Sequence, residues 1–399
     1  MRVIYLTESP LNKRDFDRFG VGVLAQSGYE VEVWDCTPFL NPKVFQTFKP
    51  VDSFQFKGHR VFHQAQDVCE LLGIINELTI LIVFIGYEEQ HRKIYESISG
   101  NKFLHYGIES VNVVVENTKL SYSHRVSRLL RSPKRVIRFL TRRQVASFTD
   151  VRSPNFLLVG GQHSVSRFKV NPSTNLVWTH AWDYDIYLAE MNSGSKSLEE
   201  EIGPYAVFID QYFPFHPDVV REGYKPIAAK PYYDRLVNFF ERVEKKFGVK
   251  VVIAAHPRSR YQDHPDYFKG RKIVIGQTAN LVHHSKLMLV HYSTAVNFGV
   301  LFHKPMIVMD SSREPVFKDG NYVSETARML GRGVLDLDAP ADSISWESEV
   351  KINEEAYAQF LENFIKTGPS VKKNAWLIFA DYLKSLKKEK IPPRLEANP

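Results

Sequence analysis

Three short apolar runs end in residues able to handle a charged substrate. Tyr205–Ile209 runs into Asp210, Gln211 and Tyr212, Val249–Ala254 leads to His256-Pro257, and Leu287–His291 leads to Ser293-Thr294. An imidazole can donate to a phosphate oxygen and can protonate it. Hydroxyls that open a helix sit beside free N–H groups and the positive end of the helix dipole, which favours an anion. His256, Ser293 and Thr294 therefore describe a phosphate site, with Pro257 fixing the turn that aims His256. The plainer reading makes Ser293 an N-cap and His256 a loop residue. Arg258 and Arg260 follow His256 and either pair with a phosphate or sugar carboxylate or stand exposed, Arg258 being next to the motif. Asp210 either caps a turn or acts as base, nucleophile or binder of a sugar hydroxyl. His216-Pro217 is a second His-Pro pair after an aromatic loop.

The elements around these residues alternate between strand and helix. The runs at 249–254, 287–291 and 305–309 have strand length and β-branched content, and 294–302 is apolar at helical spacing. Such alternation marks a parallel sheet with crossover helices, whose ligands lie beyond the carboxyl ends of the strands. A helix over 231–247, with Tyr232, Leu236, Phe239, Phe240 and Val243 inward, delivers the chain to the central strand. The first half opens in the same way, with a strand at 2–7, a helix at 15–27 and a strand at 30–35. Gly20 and Gly22 lie in that helix and do not form a dinucleotide loop. A buried strand is expected at 79–85, a helix at 88–99, and strands at 155–159, 175–180 and 184–188. The polar stretch 190–203 reads as an interdomain linker, and helices are expected at 354–365 and 372–388.

The His-Pro at one strand end, followed by Ser-Thr at the start of a later helix, resembles the motifs of bacterial CMP-sugar glycosyltransferases. These are the GT-B sialyltransferase-like and Kdo-transferase-like enzymes. The resemblance implies that His256, Ser293 and Thr294 hold the CMP phosphate, and that the first domain faces the acceptor. It implies two Rossmann-like domains facing a cleft, with a C-terminal helix crossing back to the first domain. By position, Glu314 matches an acidic residue that many GT-B enzymes place near the donor. The acidic pair plus glycine that many sialyltransferase-like members use as base has no counterpart here, and Asp210 is the aspartate that can replace it, as the nucleophile of some retaining Kdo transferases does.

Composition sets the outer limits. With 399 residues two domains are expected, and 44% apolar with 24% charged residues is ordinary for a globular chain. The expected divisions are 1–190 for the acceptor domain, 204–370 for the nucleotide-sugar domain and 371–399 for the final helix and tail. Cys36 and Cys69 make neither a disulfide framework nor a metal site. No supported metal-binding DxD occurs, since Asp183-Tyr184-Asp185 falls in a strand-like run, so no metal and no cofactor beyond the donor are expected. The stretch 119–143 carries basic residues from Lys119 to Arg143 interleaved with Leu129, Leu130, Val136, Ile137, Phe139 and Leu140. It reads as a segment for an anionic membrane surface, as a nucleic-acid patch, or as a solvated face packed on its domain. The N-terminus reads as a strand and turn, not a signal peptide, and the apolar run 78–86 is too short to span a bilayer.

The expectation is a cytoplasmic enzyme, peripheral on the inner face of the membrane, that is metal-independent. It moves a nonulosonic acid, Kdo or sialic-type, from a CMP-sugar to a surface-polysaccharide or lipid-linked glycan, with Asp210 and His256 catalytic and no nucleic-acid partner. The alternatives are a pyruvyl or polyol-phosphate transferase, and a non-catalytic membrane-surface or nucleic-acid-binding protein.

Overall fold

Two parallel sheets share one winding order. The computed structural model describes residues 1–47, 54–75, 79–110, 151–166, 171–216, 227–291, 293–311, 313 and 322–389. The basic stretch 119–143, Pro217 and Glu314 lie outside these residues. The first sheet comprises β1 (Arg2–Thr7), β2 (Glu30–Asp35), β3 (His59–Val61), β4 (Thr79–Phe84), β5 (His105–Ser110), β6 (Phe156–Val159) and β7 (Asn175–Trp178). The second comprises β8 (Tyr205–Ile209), β9 (Lys250–Ala255), β10 (Ile273–Ile275), β11 (Leu287–Val290), β12 (Met306–Asp310) and β13 (Leu335–Asp336). Their orders are β3-β2-β1-β4-β5-β6-β7 and β10-β9-β8-β11-β12-β13. In both, the first strand is central, the next two lie to one side and the fourth to the other. That is the doubly wound Rossmann order, with its switch point between first and fourth strands.

The strands read as apolar runs because both faces of a parallel sheet are covered. Ala206–Phe208 and Met288–Val290 are wholly buried. The helix Ala229–Phe247 covers the second sheet with Tyr232, Tyr233, Leu236, Val237, Phe239, Phe240 and Val243, and ends at Gly248 with φ 63°. There the glycine adopts the left-handed conformation that a helix C-terminus favours.

The described residues form two compact units. The first takes residues up to 110, 151–182 and 367–389, and the second takes 183–366. The last helix, Ala375–Glu389, returns to the first unit as expected. Trp376, Phe379, Ala380 and Leu383 enter the core that holds Val3, Tyr5, Val31 and Phe156. Trp376 Nε1 donates to Arg18 O at 2.8 Å.

That packing explains why 15–27 is not one helix. It divides into Lys13–Arg18 and Val21–Gln26, with Gly20 at φ 59° between them. A β-carbon at Gly20 would lie 2.0 Å from Trp376 Cγ.

Two other expectations are corrected. Residues 184–188 belong to the helix Trp182–Ser193, whose first turn holds Asp183 and Asp185. Acidic side chains are favoured there by the helix dipole, and this outweighs the alternation of Tyr184, Ile186 and Leu188. The stretch 190–203 carries the end of that helix and a second one, Glu199–Ile202, inside the second unit. Among the described residues, no helix is long and apolar enough to cross a membrane.

Candidate functional site

Register puts three of the singled-out clusters on one edge of the second sheet. Ile209 of β8 pairs with Ala254 of β9 and with Val290 of β11. Asp210, His256 and His291 therefore leave adjacent strands at nearly the same level, on the carboxyl edge around the switch point. Neighbouring strands lie about 4.8 Å apart, so the outer two strands are about 10 Å apart with Asp210 between them.

Asp210 is the hub of this edge. Its backbone N–H donates to Ala254 O at 3.1 Å. Its carboxylate accepts from Tyr212 N at 2.9 Å, Tyr261 Oη at 2.8 Å and His256 N at 3.4 Å. The residue is 2% exposed. Burial raises its carboxyl to about 6, against the pull of these donors, which lower it. Of the readings open for Asp210, a turn cap or a base, nucleophile or binder of a sugar hydroxyl, the structure shows its two oxygens bonded to the loops after β8 and β9.

An aromatic and histidine cluster surrounds the hub. Tyr233 Oη and Tyr261 Oη are 2.9 Å apart, so with Tyr261 donating to Asp210, Tyr233 donates to Tyr261. Tyr212, at φ 53°, places its hydroxyl 2.7 Å from His264 Nε2, and the His264 ring stacks on Phe215 at 3.9 Å. A non-glycine residue in the left-handed region is uncommon, and the Tyr212 N–H bond to Asp210 holds it there. Tyr212, Tyr261 and His264 were not assigned roles from the sequence beyond Tyr212 standing beside Asp210. The wide spacing of Tyr261 from Asp210 hid the contact.

His256 is half-buried at the end of β9. Its Nδ1 accepts from Arg258 N at 3.2 Å, which leaves the proton of a neutral ring on Nε2. The His216 ring meets it edge-on at 4.8 Å, joining the second His-Pro histidine to the first. The Arg258 side chain is exposed, and Arg260 pairs with Asp263 at 2.7 Å.

Just after β11, His291 is fully buried and burial lowers its pKa to about 4, so it is neutral. Its Nδ1 donates to Met309 O at 2.8 Å, and its Nε2 lies 3.3 Å from Tyr232 Oη. Ser293 Oγ accepts from Ala295 N at 3.1 Å in the turn that leads into the short helix Val296–Leu301, whose N-cap is Ala295, and Thr294 is exposed beside it. Gly299 lets that helix lie close on β12, where a β-carbon would meet Met306 Sδ at 2.4 Å. The structure thus brings Asp210, His256, Ser293 and Thr294 to one sheet edge.

The first sheet carries a second polar group at its own switch point, which sequence reasoning missed. Glu8 follows β1 and lies 2.7 Å from the Nε2 of buried His91, which follows β4. The available signal was position, since Glu8 follows the first strand of its unit as Asp210 follows the first strand of the other.

Among the described residues, Glu190, His283 and His284 form a group with metal-ligand geometry, their ligand atoms all within 4.8 Å. Glu190 Oε1 also accepts from Ser195 Oγ and, at 3.0 Å, from Asn280 Nδ2. Its two histidines end the helix Thr278–His284, which leads into the amino end of β11 at the opposite edge from Asp210, and Glu190 belongs to the helix Trp182–Ser193. Asp183 of the Asp-Tyr-Asp run accepts from Asn297 Nδ2 at 2.8 Å.

Comparison with known proteins adds the fold class. No protein-family model matches the chain, and no curated protein matches it. Among solved structures, the chain is similar to an S. aureus MnaA–UDP co-structure, with TM-score 0.50 and 13% identity over 98% of this chain and 97% of that one. It is also similar to the wall teichoic acid polymerase TagF, with TM-score 0.50 and 10% identity over 98% of this chain and 90% of that one. These likenesses show the fold: two Rossmann-like α/β units of the GT-B class.

Proposed function

We propose that this chain is a glycosyltransferase that takes a nonulosonic acid, Kdo or sialic-type, from a CMP-sugar and passes it to a surface-polysaccharide or lipid-linked glycan. The observation that carries the reading is that His256 and Ser293 follow the two strands that flank the strand of Asp210, at the carboxyl edge where doubly wound sheets bind ligands. The His-Pro and Ser-Thr motifs support cytidine as the base of the donor. The fold class supports a sugar nucleotide in general, and the MnaA neighbour was solved with UDP.

In this reading His256 presents Nε2–H to the donor phosphate and stabilises the charge that grows on it as the sugar leaves. Ser293 and Thr294 contribute hydroxyls at the facing strand end, with Arg258 and Glu314 at the donor. Asp210 acts through His256: it fixes the β9 loop by its bond to the His256 amide and locks Tyr212 and Tyr261 around it. No metal is assigned a role. The basic stretch 119–143 holds the enzyme to the anionic inner face of the membrane, near a lipid-linked acceptor.

A second reading, transfer of a polyol phosphate, draws on the likeness to a wall teichoic acid polymerase and uses the same phosphate site. Thermal stabilisation by CMP, UDP, dTDP and GDP tests the donor, and His256→Gln tests the site. The expected result is an upward shift in Tm with CMP alone, reduced at least tenfold in apparent affinity by H256Q. A shift with UDP or GDP and none with CMP rejects the cytidine assignment. An H256Q variant that binds CMP as the wild type does rejects the site. Turnover of CDP-glycerol rather than CMP-sugars decides for the second reading.

A further inference from the structure

Three ligating side chains meet beside the amino end of β11, at the opposite edge of the second sheet from Asp210. All three, Glu190, His283 and His284, belong to the second unit. His283 Nδ1 lies 3.3 Å and His284 Nε2 lies 4.0 Å from the same carboxylate oxygen, Glu190 Oε1.

The two contacts differ in kind. At 3.3 Å His283 Nδ1 donates to the carboxylate, which can only accept. At 4.0 Å His284 Nε2 makes no hydrogen bond, yet this atom is buried and has no partner among the described residues. A buried polar atom without a partner is rare and calls for an explanation. Zinc bonds of about 2.1 Å at tetrahedral angles put ligand atoms about 3.4 Å apart. His283 stands at that separation from Glu190, and His284 reaches it by a small turn of its ring. The gap too long for a hydrogen bond is the right size for an ion between the two atoms.

The carboxylate is held in place by its neighbours. Glu190 Oε1 accepts from Ser195 Oγ and, at 3.0 Å, from Asn280 Nδ2, and Asn280 Nδ2 also donates to Ser195 Oγ at 2.8 Å. Asn280 stands one turn before His284, so the helix that carries both imidazoles also grips the carboxylate. Partners of this kind orient a ligand and tune its affinity. The His283 ring stacks on Phe302 at 4.7 Å, and Phe302 meets Tyr187 of the Glu190 helix at 5.1 Å. The two histidine rings lie 4.4 Å apart at 31°. Residues in succession diverge by about 100° inside a helix, and the rings converge here because the pair ends one.

The charges suit a cation. Burial pushes the Glu190 carboxyl up, but its hydrogen bonds from Ser195, Asn280 and His283 outweigh this and hold it below the usual range, so it is an anion. Burial, helped by His283, pushes His284 down, so its ring is neutral and has a lone pair to give. Lys304 acts on His284 in the same direction and Glu199 against it. Two neutral imidazoles and a carboxylate are a donor set that zinc takes, with a fourth position for water. When the ion enters, the proton on His283 Nδ1 moves to the other nitrogen of that ring.

We propose that Glu190, His283 and His284 bind a zinc ion that pins the helix Trp182–Ser193 to the helix Thr278–His284. The ion is structural and takes no part in transfer, and the proposal stands whichever donor the carboxyl edge binds. Sequence spacing hid the site, because Glu190 is 93 positions from His283 and adjacent histidines match no common zinc pattern.

The test uses the full chain, stripped with EDTA and titrated with zinc chloride against a chromophoric chelator, with Tm followed alongside. One ion per chain is expected, and a hundredfold excess over Kd raises Tm by about 5–10 °C. Amide exchange slows in the two pinned helices, and Co²⁺ in place of zinc gives the visible bands of a four-coordinate site. His284→Gln and Glu190→Gln each weaken zinc binding by at least about a hundredfold, although E190Q keeps an acceptor for Asn280. Asn280→Ala weakens it by about ten- to a hundredfold through the orientation of Glu190. His63→Gln, at an exposed histidine of the first unit, binds zinc as the wild type does. Wild-type and H284Q chains that bind zinc alike overturn the proposal, since other histidines then hold the ion. A wild-type Tm that zinc leaves unmoved, or that Mg²⁺ raises as far, overturns it as well. If H284Q and E190Q fail to fold, N280A and the wild-type cobalt spectrum decide. Undiminished affinity in N280A, or the weak bands of six-coordinate cobalt, overturns the assignment.

Discussion

Asp210→Asn measures how the edge of the second sheet is assembled. Burial holds the Asp210 carboxyl at about 6, where a free aspartate has 3.8. The folded state therefore binds this proton more tightly than the unfolded chain does. Its contribution to stability is fully present below about pH 4, is lost as pH rises towards 6, and is constant above that. The interval between the two values, at about 1.4 kcal/mol per decade of proton affinity, makes the loss on the order of 3 kcal/mol. Asp310, also raised to about 6 by burial, titrates in the same window, so the wild-type curve alone does not isolate Asp210. The difference between wild type and D210N does, because asparagine carries no proton to lose. Urea unfolding from pH 4 to pH 7, followed by amide exchange of β8 and β9, reads the second unit. Relative to D210N, the wild type is expected to lose about 3 kcal/mol across that range, about 6–12 °C in Tm for a unit of this size. In the same range, protonation of Asp210 takes an acceptor from the amides of Tyr212 and His256, so CMP affinity falls below about pH 6 in the wild type only. A stability gap constant to within about 0.5 kcal/mol refutes the reasoning, since it means the carboxyl is not enclosed as the structure has it.

Two further outcomes follow from the packing and the charge. Gly20→Ala puts a β-carbon 2.0 Å from Trp376 Cγ at a residue with φ 59°, and is expected to destabilise the first unit by about 2–4 kcal/mol and to expose the last helix to amide exchange. Gly28→Ala, at φ 87° with open space around it, costs only about 1 kcal/mol, and equal effects of the two in thermal melts exclude Trp376 as the reason. Exchanging Arg135, Arg138, Arg142 and Arg143 for Glu is expected to weaken flotation with phosphatidylglycerol vesicles by at least about a hundredfold, at about 1 kcal/mol for each basic residue removed, with the CMP shift unchanged. Undiminished flotation removes the membrane role from that stretch.

Much of the architecture was legible in the chain because it is encoded locally. Runs such as Tyr205–Ile209 and Leu287–Val290 are short, apolar and bounded by polar residues, which parallel strands covered on both faces require. The helix Ala229–Phe247 announces its buried face by its period, and the apolar positions of the last helix, Trp376, Phe379, Ala380 and Leu383, do the same. Local pattern misled at residues 184–188, where alternation argued for a strand and the two aspartates of a first helical turn argued otherwise.

The sequence by itself determined most of the strands, 184–188 excepted, and which residues leave their ends, so Asp210, His256 and Ser293 stand out from the chain alone. Strand order and register decided the rest. They placed Tyr261 against Asp210 and His91 against Glu8, closing one carboxylate off and leaving the other half open. The periodicity of a segment shows which way its side chains face, but whether a carboxylate is desolvated, paired or open to a substrate depends on residues 50 or 80 positions away.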